Sequence, residues 1–260
     1  MGSSDHQAVH SAVLGSNLTR PRNPPDSERR STIPPIPPPK RHPYDQWSPD
    51  ARALDLVGDK WTLLIIRDLA GGPRRFVELQ RVLPGISTEQ LRSRLNRMVA
   101  DGLLTRQRYR EVPPRVDYEL TERSYELMPV LGALARWGYD WTWSAPRAGE
   151  DVNVGAIFRL APGMLAPPAD VAGSVDLVLV GDHEDRIFRL TADDGHVRIS
   201  EHPEGPPDAV VTGSEEAWIS ALGPDGAIDS LEVEGQRGLA ESLLSEFSVA
   251  AAGRAAQRAA

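Results

Sequence analysis

The 260-residue sequence predicts an α+β protein with two folded parts. Apolar residues recur at helical spacing through residues 48–146, and short alternating runs typical of strands dominate residues 147–250. The length also suffices for two domains, each with its own core. The chain contains no cysteine, which excludes disulfides, thiolate metal sites and thiol nucleophiles.

The formal net charge of −8 is unevenly distributed along the chain. Residues 147–260 carry 8 basic and 20 acidic side chains, whereas residues 74–115 carry 10 basic and 4 acidic ones. Because the local field governs polyanion binding, the first part remains compatible with nucleic acid, whereas the charge of the second part disfavours contact with DNA. No apolar run approaches the ~20 residues that span a bilayer, and no signal-peptide pattern is present. We therefore expect a cytoplasmic protein without a membrane partner.

Both ends of the chain lack a periodic apolar pattern. Nine prolines fall between residues 21 and 43, so we predict a disordered, partly stiff tail over residues 1–47. A proline-motif ligand for another protein is the alternative for this stretch. The Ala-rich residues 251–260 predict a frayed C-terminal tail.

The apolar pattern of residues 48–146 predicts four short helices, a hairpin and a long helix, in that order. Gly58 separates the first two helices, and Ser87 is the predicted N-cap of the fourth. Two alternating runs around residues 111–114 predict a β-hairpin with a proline-stiffened tip. Residues 122–143 follow as one predicted long helix. This order of elements is that of a winged helix.

The fourth predicted helix carries a polar stripe opposite its apolar face. Gln90, Ser93, Arg94 and Arg97 fall within an arc of about 100°, as a helix that reads a major groove requires. Arginine can read guanine and glutamine can read adenine, while hydroxyls at the helix start suit a phosphate. Such a stripe alone is more typical of a solvated face, but the arginine-rich hairpin favours DNA. The predicted DNA-contacting residues are Arg75, Ser87, Thr88, Gln90, Arg92, Ser93, Arg94, Arg97, Arg106, Arg108, Arg110 and Arg115.

Three stretches of this part carry a family resemblance. They read "ALDLVGDKWTLLIIRDLAGGPRRFVELQRVLPGIS", "LRSRLNRMVADGLL" and "YREVPPRVDYELTERSYELMPVLGALARWG". Over about residues 48–143 the chain closely resembles HxlR-type winged-helix transcriptional regulators. The resemblance implies a dimeric DNA-binding repressor or activator, with the helix from Ser87 in the major groove and Arg115 at the wing tip. Many members have Cys-Pro where this chain has Ser48-Pro49, so sensing through that thiol is excluded here.

The long predicted helix carries an apolar stripe that is either core or a dimer seam. The resemblance implies dimerisation through this helix and the first one, which favours the seam. A two-fold dimer in turn implies an inverted repeat in the operator. The predicted seam residues are Leu127, Leu131, Leu134, Trp137 and Trp141.

Residues 147–250 alternate strands and helices without a catalytic constellation. His183, His196 and His202 lack metal-ligand spacing, so we predict no metal, no cofactor and no enzymatic activity. The runs "PDAVVTGSEEAWISAL" and "LEVEGQRGLAESLLSEF" resemble the second half of sterol-carrier-protein-like domains, which implies a small hydrophobic ligand. An empty dimerisation module is the alternative. The candidate pocket residues, all equally compatible with plain core, are Trp218, Leu222, Leu231, Leu239, Leu243 and Phe247.

Together these patterns predict a winged helix-turn-helix domain followed by a sterol-carrier-protein-like α+β sheet domain. The predicted protein is a bacterial, homodimeric transcriptional regulator that binds double-stranded operator DNA and responds to a small hydrophobic effector. Two other classes remain as alternatives. One is a lipid or small-molecule carrier whose winged helix contacts protein, and the other is an enzyme acting through the second part.

Overall fold

The computed structural model describes residues 43–109, 115–223 and 228–252. Residues 1–42 of the predicted N-terminal tail lie outside this range, so the prediction that they are disordered stays a prediction. Residues 251 and 252 belong to the last helix, and the rest of the predicted frayed end is likewise outside.

The first part of the chain combines short helices with a three-stranded sheet. Its elements are α1 (Pro49–Val57), α2 (Thr62–Leu69), β1 (Arg74–Arg75), α3 (Phe76–Val82), α4 (Thr88–Ala100), β2 (Leu104–Tyr109), β3 (Arg115–Leu120), α5 (Glu122–Tyr125) and α6 (Met128–Trp141). The strands are antiparallel in the order β1-β3-β2. Ser48 caps α1, and the amide of Gly58 ends it by bonding the Leu54 carbonyl. The helix, helix-turn-helix and hairpin order agrees with the predicted winged helix.

The single long helix predicted over residues 122–143 is wrong, because α5 ends at Tyr125 and α6 begins at Met128. Pro129 lies in the first turn of α6, where its missing amide removes no helical hydrogen bond. In an uninterrupted helix the same proline would remove one. The break fixes which side of α6 is buried, namely that of Met128, Leu131 and Gly132.

The second part contains a five-stranded sheet and four helices among the described residues. Its elements are α7 (Val154–Phe158), α8 (Ala161–Met164), β4 (Gly173–Leu179), β5 (Arg186–Asp193), β6 (His196–Ser200), β7 (Ala209–Gly213), α9 (Glu215–Ala221), β8 (Glu232–Gly235) and α10 (Arg237–Ala252). The strand order is β6-β5-β4-β7-β8, with β4 and β7 parallel and the other pairs antiparallel. Asp194 and Gly195, both with positive φ, form the predicted tight turn between β5 and β6. Helices α7 and α8 were not predicted.

One apolar core runs without interruption through both parts of the chain. Where α6 meets α8, Gly132 and Gly163 bring the two backbones together so closely that a methyl group on either would overlap the other helix. Arg136 adds a hydrogen bond from its guanidinium to the Gly163 carbonyl at 3.2 Å. The predicted division into domains at residues 146 and 147 stays a prediction.

A buried group of charges also joins the two parts, and we call it the junction cluster: Asp68, Arg74, Arg159 and Glu201. The completely buried Arg159 side chain donates to Glu201 at 2.6 Å, and its Nη1 lies 3.5 Å from Asp68. Arg74 donates to the same Glu201 carboxylate at 2.6 Å. Burial by itself would raise the pKa of Glu201, but the hydrogen bonds and charges of Arg159 and Arg74 outweigh it and hold that pKa below its usual range. Glu201 is therefore ionised, and it connects β6 with β1 and the end of α7.

Candidate nucleic-acid interface

Helix α4 begins with a closed set of hydrogen bonds. Ser87 Oγ accepts from the Gln90 amide and Gln90 Oε1 accepts from the Ser87 amide, each at 3.2 Å, which is a capping box. Thr88 Oγ1 accepts from Gln80 Nε2 at 2.8 Å. All three predicted contact residues are exposed, but their polar atoms already stabilise the helix-turn-helix. A two-pronged contact of the Gln90 side chain with adenine needs Oε1, so it would compete with the cap hydrogen bond that this oxygen accepts.

The exposed face of α4 is centred on Ser93. Arg92, Ser93 and Asn96 are exposed and follow one another at helical spacing. The opposite face is buried and comprises Leu91, Leu95 and Met98. Asn96 was not among the predicted contact residues, although its position one turn beyond Arg92 and Ser93 was a usable signal. Asparagine can pair with adenine through two hydrogen bonds, so this face can read bases.

Two predicted base-reading arginines lie at the margin of this face and are held by carboxylates. Arg94 Nη1 lies 3.1 Å from Asp59 Oδ2, and Asp59 also accepts hydrogen bonds from two amides at the start of α2. Arg97 Nε donates to Asp101 at 3.1 Å, one turn along α4. Arg94 thus ties α4 to α2, and Arg97 ties α4 to its own C-terminal end. Base reading by these two arginines stays a prediction.

The hairpin places its arginines on two different faces. Side chains alternate along β2 and β3, so Arg106 and Arg108 share one face, while Arg115 shares the other with Asp117 and Arg75. Arg115 makes a two-pronged ion pair with the buried Asp117, with an Nη2–Oδ2 distance of 2.6 Å. Arg75 lies farther away, at 3.9 Å. A single flat surface therefore cannot contact all of the predicted wing arginines.

Several arginines of the predicted set are exposed to solvent. Arg92 is 60% exposed beside Glu89, Arg75 is 48% exposed, and Arg106 and Arg108 are also exposed on β2. Arg110 lies outside the described residues. The surface of α4 and of the hairpin is thus cationic and accessible, as contact with a phosphate backbone requires.

The predicted dimer seam separates into buried and exposed residues. Leu131 is buried, whereas Leu127 is partly buried and packs against the core. Leu134, Trp137 and Trp141 are each more than half exposed. Val130, which was not predicted, extends their row by one turn, since it precedes Leu134 by four residues and is 50% exposed. We call Val130, Leu134, Trp137 and Trp141 the α6 stripe.

Most of the predicted pocket residues lie inside the packed core of the second part. Trp218, Leu231, Leu243 and Phe247 are buried, Leu239 packs against the core, and only Leu222 of the six lines the cavity described next. This cavity of about 820 Å³ lies between the two parts of the chain, bounded by α2, α7, α9 and residues 142–147. Its position was not predicted, because it depends on how the two parts pack together.

Neither a metal-binding group of side chains nor a membrane-spanning helix is found in the described part of the chain. No three histidine or carboxylate side chains there converge on a position where a metal ion would fit. None of the described helices combines the length and apolar character needed to cross a membrane.

Comparison with known proteins assigns the first part to a family. The HxlR-like helix-turn-helix family model matches residues 56–145. An uncharacterized HTH-type transcriptional regulator of Synechocystis sp. is 43% identical over 93 residues, which are 36% of this chain and 69% of that protein. The chain belongs to the HxlR-like helix-turn-helix family.

Other relatives of the HxlR-like part cover the same share of the chain. An uncharacterized HTH-type transcriptional regulator of Halalkalibacterium halodurans is 43% identical over 94 residues, covering 36% of this chain and 83% of its own length. The crystal structure of a putative HTH-type transcriptional regulator, ytcD, is 37% identical over 35% of this chain and 93% of that one, with a TM-score of 0.34.

The HxlR-like match includes α2 to α6 and stops before α7. It confirms the resemblance inferred from the sequence motifs of the first part. The second part lies beyond the matched residues, and its likeness to sterol-carrier-protein-like domains stays a prediction.

The junction cluster is the feature that sequence analysis missed most completely. Its one usable signal was Arg159, a single charged residue within the otherwise apolar residues 154–165. A lone arginine in such a stretch is rarely buried unless a carboxylate pairs with it. Its partners lie 42 and 91 residues away, so the sequence could not identify them.

Proposed function

We propose that this chain is a sequence-specific DNA-binding transcriptional regulator that acts as a homodimer. The observation that carries the proposal is the combination of an HxlR-like helix-turn-helix with an exposed polar face on α4 and an exposed cationic hairpin. The relatives of this part are named HTH-type transcriptional regulators. The acidic second part would face away from DNA because like charges repel.

In this proposal α4 lies in the major groove and its exposed face reads base edges. Arg92, Ser93 and Asn96 are the side chains best placed for reading, because they are exposed and make no buried ion pair. Arg106 and Arg108 contact phosphates from the hairpin. Phosphate contacts hold the protein in register, whereas the α4 contacts supply the sequence preference.

The α6 stripe supports the homodimer. Two large tryptophan side chains and two aliphatic ones form an apolar row that a single chain leaves in water. Leu54 on α1 is 46% exposed and would add to such a seam, in agreement with the pairing of the two helices that the family resemblance implies. A two-fold dimer would place its two α4 helices about one or two helical turns of DNA apart, at about 34 Å per turn, so the proposed operator is an inverted repeat with that half-site spacing.

We further propose that the regulator, a repressor or an activator, is modulated by a small hydrophobic effector through the second part. The likeness of the second part to sterol-carrier-protein-like domains and the cavity between the two parts support this element. The remaining alternative is a small-molecule carrier whose winged helix contacts protein. Only the regulator requires salt-dependent, sequence-selective DNA binding.

The test is selection of genomic fragments by the purified full chain near 0.15 M salt, followed by footprinting and a salt titration. We expect a protected inverted repeat and an affinity that falls steeply with salt concentration. Absence of enrichment at every salt concentration, together with unchanged folding, would contradict the proposal and favour the carrier.

The role of α4 is tested with Arg92→Ala, and Arg198→Ala is the matched control. Arg198 is an exposed arginine on β6 in the acidic part, so its loss changes net charge equally without touching the proposed interface. Arg92→Ala should weaken cognate binding by about 1–3 kcal/mol and relax the preference at one base position. Equal weakening on cognate and scrambled DNA would show that Arg92 contacts phosphate only.

A further inference from the structure

The cavity between the two parts touches the helix-turn-helix directly. Its lining includes Val82, Leu83 and Pro84, which form the turn between α3 and α4, and Trp61 and Leu64 at the start of α2. From the other side it is lined by α7, by α9 and by the connecting residues 142–147. Its volume of about 820 Å³ is within the range of drug-sized ligand pockets. Most of these lining side chains are apolar or aromatic.

The charged side chains of the lining differ in whether their charge is already paired. Arg67 is bound by the neighbouring Asp68 through two hydrogen bonds of 2.9 and 3.2 Å, and Arg147 is paired with Glu150 at 3.0 Å. Lys60 forms no ion pair with any residue in the described ranges. Lys60 is exposed, and its ammonium nitrogen lies 4.5 Å from the centre of the Trp61 ring, which places a positive charge beside an apolar wall.

The lining also contains the acidic side chain of Asp151, whose charge is opposite to that of Lys60. Asp151 is exposed and has no aromatic ring or ion-pair partner that holds it within the described residues. Both charges are exposed to solvent, but the Lys60 ammonium also lies against an aromatic ring of the lining, 4.5 Å from the centre of Trp61. The cavity thus combines two aromatic walls, Trp61 and Trp143, with one positioned cation.

We propose that this cavity is the effector site and that its ligand is an amphipathic aromatic anion. The flat apolar body would lie against Trp61 and Trp143, and its anionic group would pair with Lys60. The regulatory role of this ligand rests on the proposed function, whereas binding of the ligand to the cavity does not depend on DNA. It also moves the ligand from the core of the second part, where sequence analysis placed it, to the junction of the two parts.

The same geometry explains how binding would affect DNA recognition. Trp61 and Lys60 follow Asp59, whose carboxylate holds Arg94 of α4 at 3.1 Å. Residues 83–87 connect α3 with α4, and the first two of them, Leu83 and Pro84, line the cavity. A bound ligand would contact the start of α2 and residues 83 and 84 on one side, and α7 and α9 on the other. Its binding would therefore favour the arrangement of α4 in which all of these contacts are made.

The proposal is tested by equilibrium binding of two fluorescent probes to the full chain without DNA. The anionic probe is 1-anilinonaphthalene-8-sulfonate, and the neutral probe is N-phenyl-1-naphthylamine, which has the same rings without the sulfonate. Because the α6 stripe is a second apolar surface, only the binding lost in a cavity-filling variant counts as cavity binding.

The cavity is filled with Ser220→Trp, since Ser220 is exposed on α9 and lines the cavity. Glu216→Trp is the control, because it adds the same ring to the same helix at an exposed position outside the lining. We expect Ser220→Trp to weaken anionic-probe binding at least tenfold and Glu216→Trp to leave it within twofold. Equal effects of both variants, or no effect of either, would overturn the site.

The role of the cation is tested with Lys60→Gln, and Arg198→Gln is the charge-matched control. Lys60→Gln should weaken binding of the anionic probe by about threefold at low salt, as expected for a solvent-accessible pair, and leave the neutral probe unchanged. A loss shared by both probes, or by neither, would overturn the assignment of the anionic group. If the probes bind as expected but the chain selects no DNA fragment, the result supports the ligand site and contradicts the proposed DNA-binding function.

Discussion

Replacing Glu201 with glutamine should destabilise the chain strongly, because it removes the charge that the junction cluster needs. Arg159 has a completely buried side chain, and Glu201 supplies its two shortest polar contacts, at 2.6 and 3.1 Å. After Glu201→Gln, the carboxylate left within reach of Arg159 among the described residues is Asp68, at 3.5 Å. Asp68 is already bound by Arg67, so Arg159 would be incompletely paired.

The magnitude follows from the burial of the two partners. Breaking a buried ion pair by removing one partner costs about 3–5 kcal/mol. Because the Glu201 side chain is 17% exposed, water can enter after the change, and we expect the lower end, about 3 kcal/mol. The matched control is Glu241→Gln, whose ion pair with Arg237 is exposed by more than half on both sides. That control should change stability by less than about 0.5 kcal/mol.

The assay is urea unfolding of the full chain at pH 7, followed by tryptophan fluorescence and by far-ultraviolet circular dichroism. A loss below about 1 kcal/mol for Glu201→Gln, or one equal to that of Glu241→Gln, would refute the reasoning. Adding Arg159→Met to Glu201→Gln should restore part of the stability, because it removes the stranded charge.

The pKa of Glu201 adds a dependence on pH. Because the folded protein lowers this pKa, the stabilisation is present above the unfolded-state value near 4.5 and is lost as pH falls through the folded value. The stability difference between the parent chain and Glu201→Gln should therefore shrink in acid. A constant difference down to pH 3 would contradict the assigned charge state.

Three further predictions concern the HxlR-like part. Gly132→Ala should lower the free energy of unfolding by about 1–3 kcal/mol, because the added methyl group overlaps Gly163. Gly138→Ala in the same helix is the control: its methyl group meets only a distant hydroxyl, so it should stabilise the chain by about 0.5–1 kcal/mol. Burial raises the pKa of Tyr139 to about 12, and because the unfolded chain ionises first, this group should cost the parent chain about 2 kcal/mol of stability between pH 10 and pH 12. Tyr139→Phe should remove that contribution, and an unchanged alkaline transition would contradict it. Asp59→Ala should lower the free energy of unfolding in urea by about 1–2 kcal/mol, because it removes the hydrogen-bond acceptor for the first amides of α2 and the ion-pair partner of Arg94. Unchanged stability would show that neither contact contributes.

The sequence by itself determined the features that depend on neighbouring residues. Apolar spacing and single capping residues located α1 to α4, because a helix start such as Ser87 is defined by hydrogen bonds within four residues. The turn at Asp194-Gly195 followed from the same local chemistry. The motifs of the first part also sufficed to indicate the HxlR-like family, because they lie within one continuous stretch.

Only the tertiary structure decided which polar and apolar side chains are available. Arg94 and Arg92 are alike in sequence, yet the docking of α2 gives Arg94 a largely buried ion pair with Asp59, whereas the ion pair of Arg92 with Glu89 is exposed. The break before α6 likewise buries Leu131 and exposes Val130, a difference of one residue in a helix. The junction cluster and the cavity require contacts between residues far apart in the chain, and no local pattern encodes which distant surfaces meet. Availability for binding is thus a property of the packed chain, since burial and ion pairing depend on where each element docks.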